Sequence, residues 1–116
     1  MYDQTIIVGN VGKNPEMRYI QSGKAVTEFS VAVSRGWGEK KDTIWFKVTT
    51  WEKLAEVCNE FVTKGMPVLC EGHVVAEAWM KKDGEPVSEL KLTAHTVKFL
   101  GKGESKPEPQ KDDFPF

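Results

Sequence analysis

The chain has 116 residues, of which 40% are hydrophobic and 28% charged, with Lys and Arg numbering 16 against 17 Asp and Glu for a net charge of −1. No apolar run approaches the roughly 20 residues of a bilayer-spanning helix, two cysteines are too few for a disulfide scaffold, and the composition is neither collagen-like nor that of a wholly disordered chain. The near-zero total hides a split: residues 1–103 carry 14 basic and 13 acidic side chains, whereas residues 104–116 carry two basic and four acidic ones.

Met1-Tyr2-Asp3-Gln4 has no basic stretch followed by an apolar one, so no signal peptide is expected; reduced thiols and a cytoplasmic setting fit Cys58 and Cys70. Thr5 to Val11 is β-rich and predicts a first strand. In Ala25 to Ser34, Thr27, Phe29, Val31 and Val33 alternate with Glu28, Ser30, Ala32 and Ser34, the period of a half-buried strand. Residues 36–42 predict a loop, and Thr43 to Trp51 a third strand. Over Glu52 to Lys64 the apolar residues Leu54, Val57, Cys58, Phe61 and Val62 fall on one helical stripe, with Gly65 and Pro67 as stop signals. Val68 to Met80 and Glu89 to Phe99 predict two long strands, joined across the turn chemistry of Lys82-Asp83-Gly84-Glu85. Gly101 to Gln110 has no apolar anchor and predicts disorder.

Three strands, a helix and two further strands predict an all-β, five-stranded Greek-key barrel of the OB type. Its single α-helix lies between strands 3 and 4, its last two strands form an extended β-hairpin, and its C-terminal tail is disordered. Residues 1–100 are the domain, 101–111 a short linker and 112–116 a tip.

The segment Thr43-Ile44-Trp45-Phe46-Lys47-Val48-Thr49-Thr50-Trp51 carries the most functional information. Alternation puts Ile44, Phe46 and Val48 on a core face and Thr43, Trp45, Lys47, Thr49 and Trp51 on the other. A face with Thr and Lys meets water, and two tryptophans there call for a partner. Trp79 repeats the arrangement beside Glu77 and Lys81, and Trp37 lies in a Gly-flanked loop near Lys40 and Lys41. Aromatic planes interleaved with cations suit single-stranded nucleic acid, because any base can stack on a ring while cations neutralise phosphates. The competing explanation is that the tryptophans pack at a subunit contact, as in an interaction adaptor.

With these residues in view, the chain resembles bacterial single-stranded DNA-binding proteins over residues 4–100 and again at the tip. The matching pieces are Val8-Gly9-Asn10-Val11-Gly12, Pro15-Glu16-Met17-Arg18-Tyr19, Ser22-Gly23, Phe29-Ser30-Val31-Ala32-Val33, Lys53-Leu54-Ala55-Glu56, Lys64-Gly65, Glu71-Gly72 and Trp79 with Gly84. The resemblance implies an OB domain assembled as a homotetramer, with a homodimer as the alternative. It implies coating of single-stranded DNA in replication, recombination and repair. Trp37, Trp45 and Trp79 match its base-stacking aromatics, and Trp51 falls where a stacking Phe or Trp is frequent. Arg18, Lys47, Lys53 and Lys64 fall at or near commonly basic positions; Arg35, Lys40 and Lys81 are candidates by proximity alone. The closing Asp112, Asp113, Phe114, Pro115 and Phe116 resemble the family's acidic tip, which implies recruitment of replication, recombination and repair proteins. A related primosomal-type OB protein is the nearest alternative, and would not be expected to carry that tip.

The chain departs from the family pattern in three places. Glu77 and Ala78 precede Trp79 where a basic residue is frequent, Glu52 stands where Gly is frequent, and the linker is short. His73 and His95 are isolated, the two cysteines and two histidines match no zinc spacing, and no nucleophile–base pair or phosphate loop is present. The expectation is a binding protein without cofactor, metal or membrane association, and not an enzyme.

Overall fold

The computed structural model describes residues 2–36, 39 and 41–102. Six strands and one helix follow in chain order: β1 (Thr5–Val11), β2 (Glu16–Tyr19), β3 (Ala25–Arg35), β4 (Asp42–Trp51), α1 (Glu52–Phe61), β5 (Pro67–Met80) and β6 (Pro86–Phe99). The sheet runs β1-β5-β6-β4-β3-β2 and closes on itself through Asn10↔Ala32 and Val11↔Val31, which join β1 to β3. All pairings are antiparallel except β4 with β6, which runs parallel from Phe46↔Leu90 to Thr49↔Thr93. This closed path through β1, β3, β4, β6 and β5 is the expected five-stranded barrel. The unexpected piece is β2, a four-residue strand added to the edge of β3, so that the helix follows the fourth strand of six.

Alternation explains the core. Ile7, Val11, Phe29, Val31, Val48, Val68, Cys70, Leu92, Ala94 and Phe99 point inward and pack together, and α1 closes one end of the barrel with Cys58. A buried hydroxyl fastens the helix to the sheet, Thr27 donating to the Ala55 carbonyl at 2.6 Å, and a second ties β4 to β3, Thr50 donating to the Thr27 carbonyl at 3.0 Å. Satisfying these polar groups internally avoids the desolvation penalty of orphaned donors.

The helix ends at Phe61, three residues before the expected Lys64. Val62 turns extended (φ −76°, ψ 132°) while its N–H still bonds the Cys58 carbonyl. That turn drops the β-branched Val62 and Thr63 into the barrel, where they are almost fully buried. Burying two stiff side chains outweighs one more helical turn, which for β-branched residues offers little.

Candidate nucleic-acid interface

Register alone assembles the outward face. Residues paired across antiparallel or parallel ladders point to the same side. One row therefore runs Arg18, Val26, Trp51 across β2, β3 and β4, although Val26 itself is fully buried, and the next runs Glu16, Glu28, Thr49, Thr93 from β2 to β6. A third runs Ser30, Lys47, Lys91, Val75 from β3 to β5, and beyond it lie Ala32 with Trp45, Glu89 with Glu77, and Val87 with Trp79. Trp45, Trp51 and Trp79, up to 34 positions apart in the chain, are thus on one continuous surface. They are 54%, 39% and 46% exposed, so none is a core residue.

The parallel pairing of β4 with β6 stops at Phe46↔Leu90, and the strands part beyond it. A groove of about 470 Å³ opens there, lined by Ser30, Trp45, Lys47, Ala76, Ser88 and Glu89 among others. A second hollow beside it brings Lys13, Asn14, Glu16, Glu28 and Glu89 to the other flank of Lys47. Trp45 is seated by its neighbour: a Cβ built on Gly12 would lie 2.5 Å from its Cζ3 and 2.9 Å from its Cη2. The absence of a side chain at residue 12 is therefore what lets the indole lie against the backbone.

Cations on this face are paired with carboxylates. Arg18 Nη1 donates to Glu28 Oε1 at 3.1 Å, and Lys47 Nζ lies 3.9 Å from the same oxygen. Lys91 Nζ sits 3.0 Å from Glu77 Oε1 and 4.0 Å from Glu89 Oε1. Its ammonium is held above the usual lysine pKa, first by the hydrogen bond to Glu77 and then by that carboxylate's charge. Lys91 stands on this face although the sequence reading does not single it out. Its place opposite Lys47 depends on a long-range register, although Glu89-Leu90-Lys91-Leu92 alternates and does put it on the polar side.

The remaining candidates divide. Lys81 follows Trp79 at the hairpin end and pairs with Glu85 at 3.3 Å. Lys53 is exposed in the first turn of α1, two residues beyond Trp51. Lys64 is exposed in the turn after α1, where its N–H bonds Asn14 Oδ1 at 3.0 Å, close to the flank that Asn14 lines. Arg35 is opposite Asp42 at the end of β3, on the Val33 and Ile44 side, away from the tryptophan face. Trp37 and Lys40 lie outside the described residues, as do Asp112, Asp113, Phe114, Pro115 and Phe116.

Among the described residues, no group of three or more His, Cys, Asp or Glu is placed to hold a metal ion. Both cysteines are free and buried, and burial pushes their thiols up to about 12. No helix among the described residues is long and apolar enough to cross a membrane.

Residues 2–100 match the Single-strand binding protein family. A single-stranded DNA-binding protein of Neisseria meningitidis serogroup A is 34% identical over 85% of this chain and 60% of its own length. One from Wolinella succinogenes is 32% identical over 98% of this chain and 74% of its own. The chain thus spans about 60% of the length of the Neisseria relative. A solved Plasmodium falciparum SSB, in complex with ssDNA, shares the fold at a TM-score of 0.71 and 21% identity, covering 86% of this chain and 96% of that one.

Proposed function

The chain belongs to the single-strand binding protein family, and from that premise we propose that it binds single-stranded DNA with little regard to sequence. On this reading it protects exposed strands during replication, recombination and repair in the cytoplasm, as a binding protein and not an enzyme. The observation that carries the proposal is the single outward surface on which Trp45, Trp51 and Trp79 stand open among Arg18, Lys47 and Lys91. Bases stack on the rings and phosphates meet the cations; Lys53, Lys64 and Lys81 extend the cationic track, and Trp37 and Lys40 are proposed to add to it. An interaction adaptor would need the indoles to be covered by protein; the exposure of all three, with Trp45 lining an open groove, supports the nucleic-acid reading.

Self-association is part of the proposal. From Thr5 to Gly9, β1 is paired only with β5 among the described residues, leaving its other edge unpaired. Ile6 and Val8 are exposed beside that edge. An unpaired edge with apolar neighbours is a template for a second copy, which supports a homodimer and, by further pairing, the homotetramer. Asp112 to Phe116 is proposed as a recruiting peptide for replication, recombination and repair proteins, the aromatics filling an apolar pocket and the aspartates steering the approach.

The test is a titration with poly(dT) followed by intrinsic fluorescence. Stacking quenches most of the tryptophan emission, and Trp45→Ala or Trp79→Ala weakens binding by about 1–3 kcal/mol per stacked base. Unquenched emission, or a duplex of equal length bound as tightly as the single strand, refutes the reading. Light scattering with and without a defined oligonucleotide gives the subunit number.

A further inference from the structure

Glu28 stands in the middle of the proposed contact surface and is the most sheltered charged group there. Its side chain is 24% exposed, against 58% for Arg18 and 39% for Lys47. Its Oε1 holds both of those cations, and its Oε2 accepts from Thr49 Oγ1 at 3.5 Å. The register fixes it there, one row between Arg18 and Lys47 in the middle of a strand paired on both sides. Strand pairing on both sides holds its backbone, and the two cations with Thr49 hold its carboxylate. Lys91, beside Lys47, is held in the same manner by Glu77 and Glu89, whose side chains are 48% and 31% exposed. Arg18, Lys47 and Lys91 are thus each paired with one or more of the carboxylates of Glu28, Glu77 and Glu89.

We propose that Glu28 is a resident counter-anion that sets how tightly this surface holds a nucleic-acid backbone: it occupies the position, between Arg18 and Lys47, that a phosphate would take. This rests on the single-strand reading above. A phosphate reaching Arg18 and Lys47 must share them with a negative charge that does not leave, so the trio offers a net charge of +1 in place of +2. Binding then leans on stacking more than on charge, and strand release is easier than the number of basic residues suggests. The proposal has a definite sign. Were Glu28 instead needed to aim Arg18 and Lys47 at phosphate, neutralising it would weaken binding.

The experiment compares wild type with Glu28→Gln, isosteric and uncharged, on a labelled oligo-dT of fixed length between about 50 and 200 mM NaCl. The variant binds about two- to fivefold tighter at the low-salt end, the scale of an exposed ion pair. Its log Kd also depends more steeply on log salt, by roughly 0.7, the increment for one further neutralised phosphate on a single strand. Adding Arg18→Gln to Glu28→Gln returns the slope to the wild-type value. Glu28→Ala gives the same gain and serves if the Gln variant melts early. Equal or weaker binding by the folded variants, or a slope that does not return in the double variant, overturns the role of Glu28. Wild-type protein that fails to bind the oligonucleotide refutes the single-strand reading itself.

Discussion

Gly12→Ala separates the fold from the binding surface. The new Cβ would lie 2.5 Å from Trp45 Cζ3 and 2.9 Å from Cη2, where carbon pairs settle at about 3.5–4.0 Å. The ring tip must therefore retreat by about 1 Å. Because the obstacle is the far end of a half-exposed side chain, the retreat costs the fold little, about 1 kcal/mol or less. It does shift the platform on which a base would rest. A stacked base is worth about 1–3 kcal/mol, so a partial loss of about 1 kcal/mol weakens oligo-dT binding about fivefold. Gly72→Ala is the control: its Cβ would meet the Thr93 carbonyl oxygen at 1.9 Å, a backbone atom that cannot give way, and the melting temperature falls sharply. The measurements are a thermal melt, the free-protein tryptophan emission and an oligo-dT titration. Unchanged emission and unchanged affinity in Gly12→Ala would refute the seating of Trp45 on Gly12. A melting loss as large as that of Gly72→Ala would refute the claim that the ring yields first.

Two further expectations concern stability. Glu52 opens α1 with φ at 57°, a left-handed conformation that costs an L-residue about 1–2 kcal/mol and glycine almost nothing. Glu52→Gly is therefore more stable than Glu52→Ala by about 1 kcal/mol in urea unfolding, reversing the helix-propensity order; Ala above Gly would contradict the strained backbone. Burial raises the Cys58 and Cys70 pKa values from 9.0 to about 12, so in the pH range between, the folded chain keeps protons that the unfolded chain loses. Their contribution is fully present below about pH 9 and is lost as pH rises towards 12, with about 1 kcal/mol per thiol gone near pH 10. Cys70→Ala flattens that decline in urea midpoints measured across the range; an identical pH profile in the variant would sink the assignment.

Much of the proposed contact surface is readable in the chain because a strand's period of two is local. Trp45, Lys47 and Trp51 fall on one side by alternation alone, and so do Glu77 and Trp79. The partnerships among these residues were not readable. That Lys91 lies beside Lys47 depends on a parallel pairing between distant strands, and that Glu28 occupies both Arg18 and Lys47 depends on two antiparallel registers meeting in β3. β2 is hard to see in the chain because Glu16, Met17, Arg18 and Tyr19 alternate over only four residues, too short a run to stand out. It exists by virtue of the turn at Gly23 (φ 92°) that folds it onto β3. Why a glycine would suit the position of Glu52 is something only the dihedral angle exposes.

The parallel ladder between β4 and β6 has a consequence for how the molecule is made. Phe46 meets Leu90 across more than forty intervening residues, and β6 is also the partner of β5 along nearly its full length. A chain that extends only through Met80 leaves the long β5 ladder and the short parallel ladder of β4 with no mate. Contacts this distant reward the chain only after a large loop has closed, which slows folding. Closure of the barrel therefore waits for the final strand, and until β6 pairs the chain presents open strand edges of the kind that invite association.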